Sequence, residues 1–400
     1  MIYIKEFDGH SDYNSFINGE DFVKPNVSLC DNENELHYNR FEIDYSTHYL
    51  TTKALENGTI SFNILENMDT DAITSISYST DNGETWTTTQ NQNSKAEKLQ
   101  ITVNVNEGDS VLWKGIAENT GIGGHSGSFF SSTAHFNVEG NIASMTYGDE
   151  FINVDETETS KQYIGLFSDA SQTLPTLLVS AKNLSLASDT LCYGAYGSMF
   201  RGCSTLVVAP KLPATNLGGN CYHSMFEGCT SLKNAPELPA TIIGRDNVET
   251  TGMSAYGDMF KGCTSLKKAP ALPATTLAEW CYSGMFSGCT SLRYAPELPA
   301  TTLLTGCYNN MFNGCTSLRK APVLPATTLV SDCYGLMFSN CSSLNYIKAM
   351  FTTEPSGDYT FIWVMGVKEN GTFVKNSSAS WDVTGEEGIP EGWTVETAAE

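Results

Sequence analysis

Cysteine, which has a reactive side chain, occurs 12 times among the 400 residues of this sequence. Four pairs share the spacing Cys-x7-Cys, namely Cys221/Cys229, Cys281/Cys289, Cys307/Cys315 and Cys333/Cys341. Without companion histidines, this spacing is not a zinc signature. Two interpretations remain open. The thiols are either reduced and buried as a ladder of small hydrophobic groups, or oxidised to disulfides in a protein that lies outside cells.

Lysine and arginine recur at a second fixed place, the two positions between a leucine and an Ala-Pro pair. These two positions read Val207-Val208, Lys233-Asn234, Lys267-Lys268, Arg293-Tyr294, Arg319-Lys320 and Asn345-Tyr346. If the copies stack about 5 Å apart, as neighbouring strands do, the cations of four successive copies form a column. The predicted binding stripe is Lys233, Lys267, Lys268, Arg293, Tyr294, Arg319 and Lys320.

Such a column has a functional and a structural interpretation. A row of cations can bind an anionic glycan or an acidic partner. Alternatively, it is a solvated face whose charges prevent edge-to-edge aggregation. Like charges this close repel one another, so we expect Glu237 and Glu297, four residues after Lys233 and Arg293, to offset them.

A short polar insertion offers a second candidate binding surface. It carries Arg245, Asp246, Asn247 and Glu249 within the sequence GRDNVETT. Insertions in repeat arrays map to surface loops and often to the binding face, although a plain surface bulge is the alternative. The acidic residues lack the spacing of a calcium-binding loop, so no metal is predicted here.

No catalytic motif is recognisable. The six histidines form no zinc-protease motif and no triad pattern, and the phosphate-binding and dinucleotide-binding fingerprints are missing. We therefore predict neither an enzyme nor a cofactor. Paired carboxylates for glycoside cleavage remain an alternative, because so acidic a chain offers many pairs, and residues 46–150 are where a glycan-processing site would lie.

One hairpin matches the pattern Ser-x-Asp-x-Gly-x-x-Trp, from Ser79 to Trp86, which resembles the Asp-box of sialidases. A single copy does not make a sialidase propeller. The pattern instead predicts a structural turn in which Asp81 caps the backbone, Gly83 takes positive φ and Trp86 packs beneath the hairpin.

The elements that position these residues are internal repeats. Met-Phe pairs begin at Met199, Met225, Met259, Met285, Met311 and Met337, at steps of 26, 34, 26, 26 and 26 residues. A fixed period of this size is the signature of a solenoid. The eight-residue excess in the second step is the insertion described above.

Each position of the repeat has an expected role. The motif Tyr-x-x-Met-Phe-x-Gly-Cys predicts one or two short helical turns with an apolar face, ended by the glycine. The following Thr-Ser-Leu-x-x-Ala-Pro predicts a short strand that ends at Pro236, Pro270, Pro296 and Pro322. Its inward residues are Leu232, Leu266, Leu292 and Leu318.

The flanks divide the chain further. Residues 1–45 form an acidic lead segment, and 46–147 show short alternating strands typical of a small β-sandwich. Residues 148–365 form the solenoid, of which 148–190 are a degenerate capping repeat with Gly165-Leu166-Phe167 at the Met-Phe position. Residues 366–400 form a C-terminal cap in which Phe373, Trp381 and Trp393 cover the last coil. The predicted fold class is mainly β with short helical turns, a sandwich followed by a solenoid with a parallel sheet and terminal caps.

Net charge is −23 and is unevenly placed. Residues 191–350 contain 11 Lys or Arg against 8 Asp or Glu, so the excess of acid lies elsewhere. An acidic body argues against nucleic acid as a partner. No segment approaches the roughly 20 apolar residues of a membrane span, and the N-terminal residues show no secretory signal.

The repeat set, with GCTSLKKAPALPATTL as one copy, resembles the BspA-like leucine-rich repeats of gut and oral bacteria and their mobile elements. The likeness covers about residue 150 to the end, and it includes YGDEF before the repeats and the GTFVKN…GIPEGWTV terminus. It implies a right-handed solenoid found mainly in surface proteins that adhere to host or matrix components. It carries over no catalytic residues.

The lead sequence KPNVSLCDNENELHYN is similar to segments in structural proteins of crAss-like Bacteroides phages. The resulting hypothesis is a non-enzymatic adhesion protein, a fibre or decoration protein of a virion. Its lead segment would bind other virion proteins, and its solenoid would bind a host surface glycan or protein. We expect a homo-oligomer. The alternatives are a secreted bacterial cell-surface adhesin and the glycan-processing enzyme.

Overall fold

A computed structural model describes residues 44–64, 73–90, 99–117, 128–154, 158–159, 162–168, 175–186, 189–243 and 253–398. The chain divides into two compact units, Met1–Tyr45 and Ser46–Glu400. The predicted lead segment, residues 1–45, therefore falls outside the described residues apart from its last two. The second unit is mainly β with a few short helices, and it contains a parallel β-solenoid of about eight turns over residues 190–397. This confirms the predicted fold class.

Two packed sheets form the N-terminal part of the second unit. The larger sheet has the strand order β10-β8-β1-β6-β3-β4, and the smaller has the order β5-β2-β7. The strands are β1 (Leu50–Ala54), β2 (Gly58–Ile64), β3 (Ile73–Ser79), β4 (Thr87–Gln90), β5 (Leu99–Val105), β6 (Ser110–Ala117), β7 (Ser128–Ser132), β8 (Phe136–Asn141) and β10 (Leu178–Ser185). Phe62 and Phe130 of the smaller sheet contact Trp113 of the larger one, with ring centroids 6.5 and 5.3 Å apart.

Strand β10 joins the sandwich to the solenoid. It pairs in parallel with β8, and Ser180 within it forms a parallel bridge with Val208 of the next coil. The Ala181 N–H also donates to the Val208 carbonyl, at 2.9 Å. A chain segment predicted as a degenerate solenoid repeat thus also completes the large sheet, and one apolar core continues from Leu50 to Trp393.

Short helices are few in the described residues. They are the 3-10 helices Tyr45–Thr47 and Gly148–Asn153 and the α-helices Ser144–Tyr147 and Gly357–Thr360. None of the helices in the described part of the chain is long and apolar enough to cross a membrane.

The Tyr-x-x-Met-Phe-x-Gly-Cys motif folds as successive hydrogen-bonded turns. In one copy the Met225 N–H donates to the Tyr222 carbonyl at 3.1 Å. Asn220, Ser224 and Gly228 have φ of 53°, 53° and 76°, so that every fourth residue is left-handed. A right-handed helix cannot continue through such residues. The expected apolar face forms, but the backbone beneath it consists of turns instead of the expected helical turns.

Alternate N–H groups of this motif reach the next coil. The Ser224 N–H donates to the Gly257 carbonyl at 2.8 Å, and the Phe226 N–H donates to the Met259 carbonyl at 2.9 Å. The intervening N–H groups bond within their own coil. This division gives most buried backbone groups of the motif a partner, as a folded interior requires.

Strands form the other sides of the coils, and the parallel sheet that was predicted is present as two parallel sheets. One contains β9 (Glu158–Thr159), β11 (Thr190–Leu191), β12 (Asn216–Leu217) and β13 (Ile242–Ile243), and the other contains β14 (Lys320–Leu324), β15 (Tyr346–Ala349), β16 (Thr372–Lys375) and β17 (Thr394–Thr397). The strand expected at each Ala-Pro is regular only in β14, and β15 occupies the same place in a coil that has Ile347-Lys348 instead of Ala-Pro. The coils before them contribute single bridges, such as Lys268 to Tyr294.

One prediction about proline is wrong. Strand β14 does not end at Pro322 but continues through it to Leu324. The pairing of β14 with β15 shifts register between Lys320 and Val323, and β14 is the first strand of its sheet. An edge strand tolerates proline, because the missing N–H is not needed for pairing on the open side.

The solenoid core consists of columns of identical side chains. The tyrosine column is Tyr196, Tyr222, Tyr256, Tyr282, Tyr308 and Tyr334, each no more than 1% exposed. Its ring centroids lie 5.7 to 6.0 Å apart. A parallel phenylalanine column runs from Phe200 to Phe338 at 5.5 to 5.8 Å. The four leucines predicted to point inward are completely buried.

Aromatic caps close both ends of these columns. Tyr163 stacks on Tyr196 at 5.8 Å, and Phe167 stacks on Phe200 at 5.6 Å, as the degenerate repeat predicts. At the other end Trp363 contacts Phe338 at 6.0 Å. The predicted covering residues Phe373, Trp381 and Trp393 are 0%, 4% and 7% exposed.

Candidate functional site

The predicted stripe residues are all exposed and line up on one side of the solenoid. The Arg293 N–H donates to the Lys267 carbonyl at 3.0 Å, which places these two residues one above the other. Lys268 and Tyr294 form a parallel bridge beside them. The structure thus has two adjacent columns, which we name by their chemistry. The cation column is Lys233, Lys267, Arg293 and Arg319, and the mixed column is Lys268, Tyr294, Lys320 and Tyr346.

Local packing explains why these side chains point outward. Leu292 is completely buried, and its N–H donates to the Cys289 carbonyl at 3.0 Å in the turn before it. Pro296, four residues after Leu292, is also buried and fixes the chain a second time. Arg293 and Tyr294 lie between these two fixed points, and both face solvent.

The mixed column alternates cation and ring. Tyr294 is 66% exposed, with Lys268 in the coil before it and Lys320 in the coil after it. The Lys320 Nζ lies 4.9 Å from the ring centroid of Tyr346, within the range of a cation–π contact. Tyr346 pairs with Lys320 in the β14–β15 ladder. The alternation relieves in this column the repulsion that four stacked cations would create.

A shallow groove of about 430 Å³ opens beside the columns. Arg293, Tyr294 and Lys320 line it together with apolar residues that include Pro296 and Val323. In the described residues, no backbone hydrogen bond joins 293–298 to 320–324, which are the two segments that flank the groove. Prolines supply part of the reason, because they lack the N–H that would close such a ladder.

The expected compensation by glutamates is not found. Among the described residues, neither Glu237 nor Glu297 forms an ion pair with Lys233 or Arg293. A spacing of four residues brings side chains together on a helix. Here the intervening chain is not helical, so the same spacing separates them.

Other solenoid ion pairs form away from the two columns. Glu227 pairs with Arg201 at 2.8 Å and with Lys261 at 3.7 Å, and Lys261 also lies 3.5 Å from Asp258. These residues belong to the turn motif, not to the two columns. His223 sits beside them, and its burial lowers the pKa of its imidazole.

The cysteines are structural. No disulfide joins the 11 described cysteines to one another, and all but Cys192 are buried. The Cys289 thiol donates to the Phe260 carbonyl of the preceding coil at 3.0 Å, and the Cys315 thiol does the same to Phe286 at 3.1 Å. Burial raises the pKa of Cys289 to about 12, so its reactive thiolate is suppressed. Of the two interpretations, the structure supports the reduced ladder.

The hairpin of Ser79 to Trp86 is a structural turn, as predicted. The Asp81 carboxylate accepts from the Ser79 hydroxyl at 2.6 Å and from the Thr85 N–H at 2.9 Å. These bonds lower the pKa of Asp81 to about 2. Gly83 has φ of 88°, and Trp86 packs against Tyr49 at a centroid distance of 5.0 Å.

The second predicted surface, the insertion loop of Arg245, Asp246, Asn247 and Glu249, lies outside the described residues. Within the residues that are described, no group of three or more His, Cys, Asp or Glu side chains is arranged to hold a metal ion.

Sequence reasoning missed part of the site. Tyr346 and Val323 complete the mixed column and the groove, and Lys348 pairs with Val323 in the β14–β15 ladder. Tyr346 could have been found, because Asn345-Tyr346 occupies the same repeat position as the stripe residues. The groove had no sequence signal, since it depends on how two coils separate.

No protein-family model, curated protein or solved structure matches this chain. The fold and the site therefore define the molecule by themselves. It contains a parallel β-solenoid with an exposed face of stacked cations and alternating tyrosines.

Proposed function

We propose that this chain is a non-enzymatic binding protein whose solenoid presents the two columns to an anionic glycan or protein on a host surface. The observation that carries the proposal is the mixed column, in which Lys320 lies between Tyr294 and Tyr346 at the edge of a groove. Tyr294 is exposed beside exposed cations, and aromatic and cationic side chains are residue types that concentrate binding energy in recognition surfaces.

The proposal includes a location. The resemblance of the lead sequence to crAss-like Bacteroides phage proteins supports a virion-associated fibre or decoration protein, with residues 1–45 binding other virion proteins. The resemblance to BspA-like leucine-rich repeats supports the alternative, a secreted bacterial cell-surface adhesin. Immunogold microscopy of phage particles and of cell envelopes separates the two. Light scattering of the purified chain tests the expected homo-oligomer.

Binding is tested by removing charge from the columns. The variant Lys267→Ser, Lys268→Ser, Arg319→Ser and Lys320→Ser is expected to lose salt-sensitive binding to host cells. The matched control removes four exposed lysines elsewhere: Lys53→Ser, Lys182→Ser, Lys211→Ser and Lys368→Ser. Both variants change the net charge equally, so unchanged salt-sensitive binding by the first, or equal loss by both, would contradict the proposal.

The enzymatic alternative has its own test. The full chain is incubated with a panel of host and capsular glycans, and reducing ends are measured over time. We expect no turnover. Hydrolysis that is lost when carboxylates between residues 46 and 150 are substituted would replace the binding proposal with a glycan-processing one.

A further inference from the structure

The spacing of the two columns narrows the ligand class, on the premise that the proposed binding face is correct. Successive coils stack at a regular interval, with the core tyrosine rings 5.7 to 6.0 Å apart. The cation column therefore offers one positive charge per coil. The mixed column offers one tyrosine and one lysine per two coils, since Lys268, Tyr294, Lys320 and Tyr346 follow one another.

The exposed ring of Tyr294 indicates that the ligand has flat apolar faces. Tyr294 is two-thirds exposed and borders a groove with Pro296 and Val323, of which Val323 is 44% exposed. A small inorganic anion would use the cations alone and leave these apolar surfaces in water. An acidic polypeptide supplies carboxylates, but it has no ring faces at a regular interval of two coils.

Charge also fixes how such a ligand would lie. Glu297 lines the groove beside Arg293 and Tyr294. It repels acidic groups on its own side and leaves the cation column as their favourable position. Among the described residues, Lys267, Arg293 and Arg319 form no ion pair, so their charge is available to a ligand.

We infer that the face binds a linear acidic polysaccharide laid along the solenoid axis. An uncharged sugar ring stacks on the exposed ring of Tyr294. Carboxylate or sulfate groups of the alternate sugars bind Lys268 and Lys320 together with the cation column. Nucleic acid also combines rings with negative charge, but it carries a phosphate on every nucleotide, so the strongly acidic remainder of the chain repels it more than a polysaccharide that is charged only on alternate sugars.

The inference is tested with the full chain by isothermal titration calorimetry. The probes are hyaluronan, which alternates charged and uncharged sugars, neutral dextran, polyglutamate and a single-stranded oligothymidylate. We expect hyaluronan to bind more tightly than the other three. Tyr294→Ala is expected to weaken hyaluronan binding severalfold, up to about tenfold, as the loss of one aromatic contact predicts. Tyr294→Phe should retain binding, because the ring and not the hydroxyl makes the contact.

Tyr193→Ala is the matched control, since Tyr193 is also exposed, at 53%, but lies outside the two columns. Equal binding of polyglutamate or of the oligonucleotide would overturn the inference, as would identical losses in the Tyr294→Ala and Tyr193→Ala variants. Failure of all four probes, with salt-sensitive cell binding still lost in the column variant, would refute the polysaccharide and leave the proposed function standing. If none of the four probes binds and the column variant keeps its salt-sensitive binding to cells, both the polysaccharide inference and the proposed function are refuted.

Discussion

The two parts of the second unit bury aromatic rings in opposite ways. In the sandwich, Phe130 meets Phe62 at an interplanar angle of 70° and Trp113 at 81°. In the solenoid, Tyr256 and Tyr282 are parallel to within 2°. Two facing sheets give every ring different neighbours, whereas translation along the solenoid makes each ring pack on its own copy. The sandwich core is therefore unique, and the solenoid core is a chain of nearest-neighbour contacts.

The same translation acts on the outer surface, but with a different result. Inward positions such as Leu292 and Leu318 hold the same residue in successive coils, because each must fit against a copy of itself. The two outward positions after them carry no such restriction. Outward positions vary throughout the repeat, and cations and tyrosines accumulate at the two that follow each inward leucine, which makes them the place where the chain can acquire a ligand.

The largest expected effects separate the two cores. Trp113→Ala removes a completely buried ring whose Nε1–H donates to the Thr52 hydroxyl at 2.9 Å. Phe286→Ala removes a ring stacked at 5.7 Å on both Phe260 and Phe312. Each should lower the free energy of unfolding by about 3–5 kcal/mol. Chemical denaturation measures the loss, and hydrogen exchange by mass spectrometry locates it.

The location of the loss distinguishes the cores. For Phe286→Ala we expect faster exchange in the coils beside it, since contacts there are nearest-neighbour only. For Trp113→Ala we expect faster exchange across both sheets of the sandwich. The variant Phe286→Leu keeps most of the volume and should recover most of the stability. Uniform exchange throughout the second unit in both variants would show that the two cores unfold as one.

Alkaline pH should affect the solenoid more than the sandwich. Burial raises the pKa of Cys281 and Cys289 to about 12, and desolvation raises the pKa of Tyr282 well above its usual value. The unfolded chain releases these protons first, near pH 8.5 for cysteine. The contribution is therefore complete below that pH and is lost as the pH rises toward 12. Each group can remove at most about 1.4 kcal/mol per pH unit.

Urea unfolding at pH 8 and at higher pH, monitored by hydrogen exchange, measures for each part how steeply the free energy of unfolding changes with pH. In the sandwich the comparable group is Tyr49, whose pKa is raised to about 12 by burial and by Asp149. Substituting Cys289→Ala and Cys315→Ala should reduce the slope in the solenoid and leave that of the sandwich unchanged. A slope that does not respond to these substitutions would mean that the thiols do not control the alkaline transition.

The contrast between the constant inner face and the variable outer face also explains what the sequence could predict. The repeat period and the identity of its apolar residues were enough to predict the solenoid, the inward leucines and both caps, and they left the reduced thiol ladder as one of two interpretations. These features depend only on which residues recur and at what interval. For the same reason the two exposed positions could be identified as a column from the repeat alone.

Features that depend on backbone conformation were not predictable in this way. A spacing of three and four suits a helical turn, but Ser224 and Asn220 adopt positive φ and convert it into turns. Strand β14 continues through Pro322 only because its open edge needs no N–H there. Strands β16 and β17 extend the parallel ladder although their sequence abandons the repeat. The groove results from the separation of two coils, which no residue pattern records.

A smaller effect is expected in the sandwich hairpin. Asp81 accepts hydrogen bonds from Ser79 and Thr85, which lower its pKa to about 2. A lowered pKa means that the contribution is present above the unfolded value near 3.9 and is lost as the pH falls through 2. Asp81→Asn should therefore remove the acid dependence of amide protection at Gly83 and Thr85, measured by nuclear magnetic resonance. Unchanged acid dependence would mean that another group controls the turn.

The smallest effect is expected where the proposed function lies. Removing charge at Lys267, Lys268, Arg319 and Lys320 by substitution with serine should change the free energy of unfolding by no more than about 0.5 kcal/mol per site, measured by urea unfolding. The substitutions should raise the free energy of unfolding slightly, since like charges in adjacent coils repel. A large loss would show that the column supports the fold.

Precipitation of a stable variant, without any loss of cell binding, would instead support the role of these charges in preventing edge-to-edge aggregation. A variant that stays folded and soluble but no longer binds would separate the constant inner face, which makes the solenoid, from the variable outer face, which gives it a ligand.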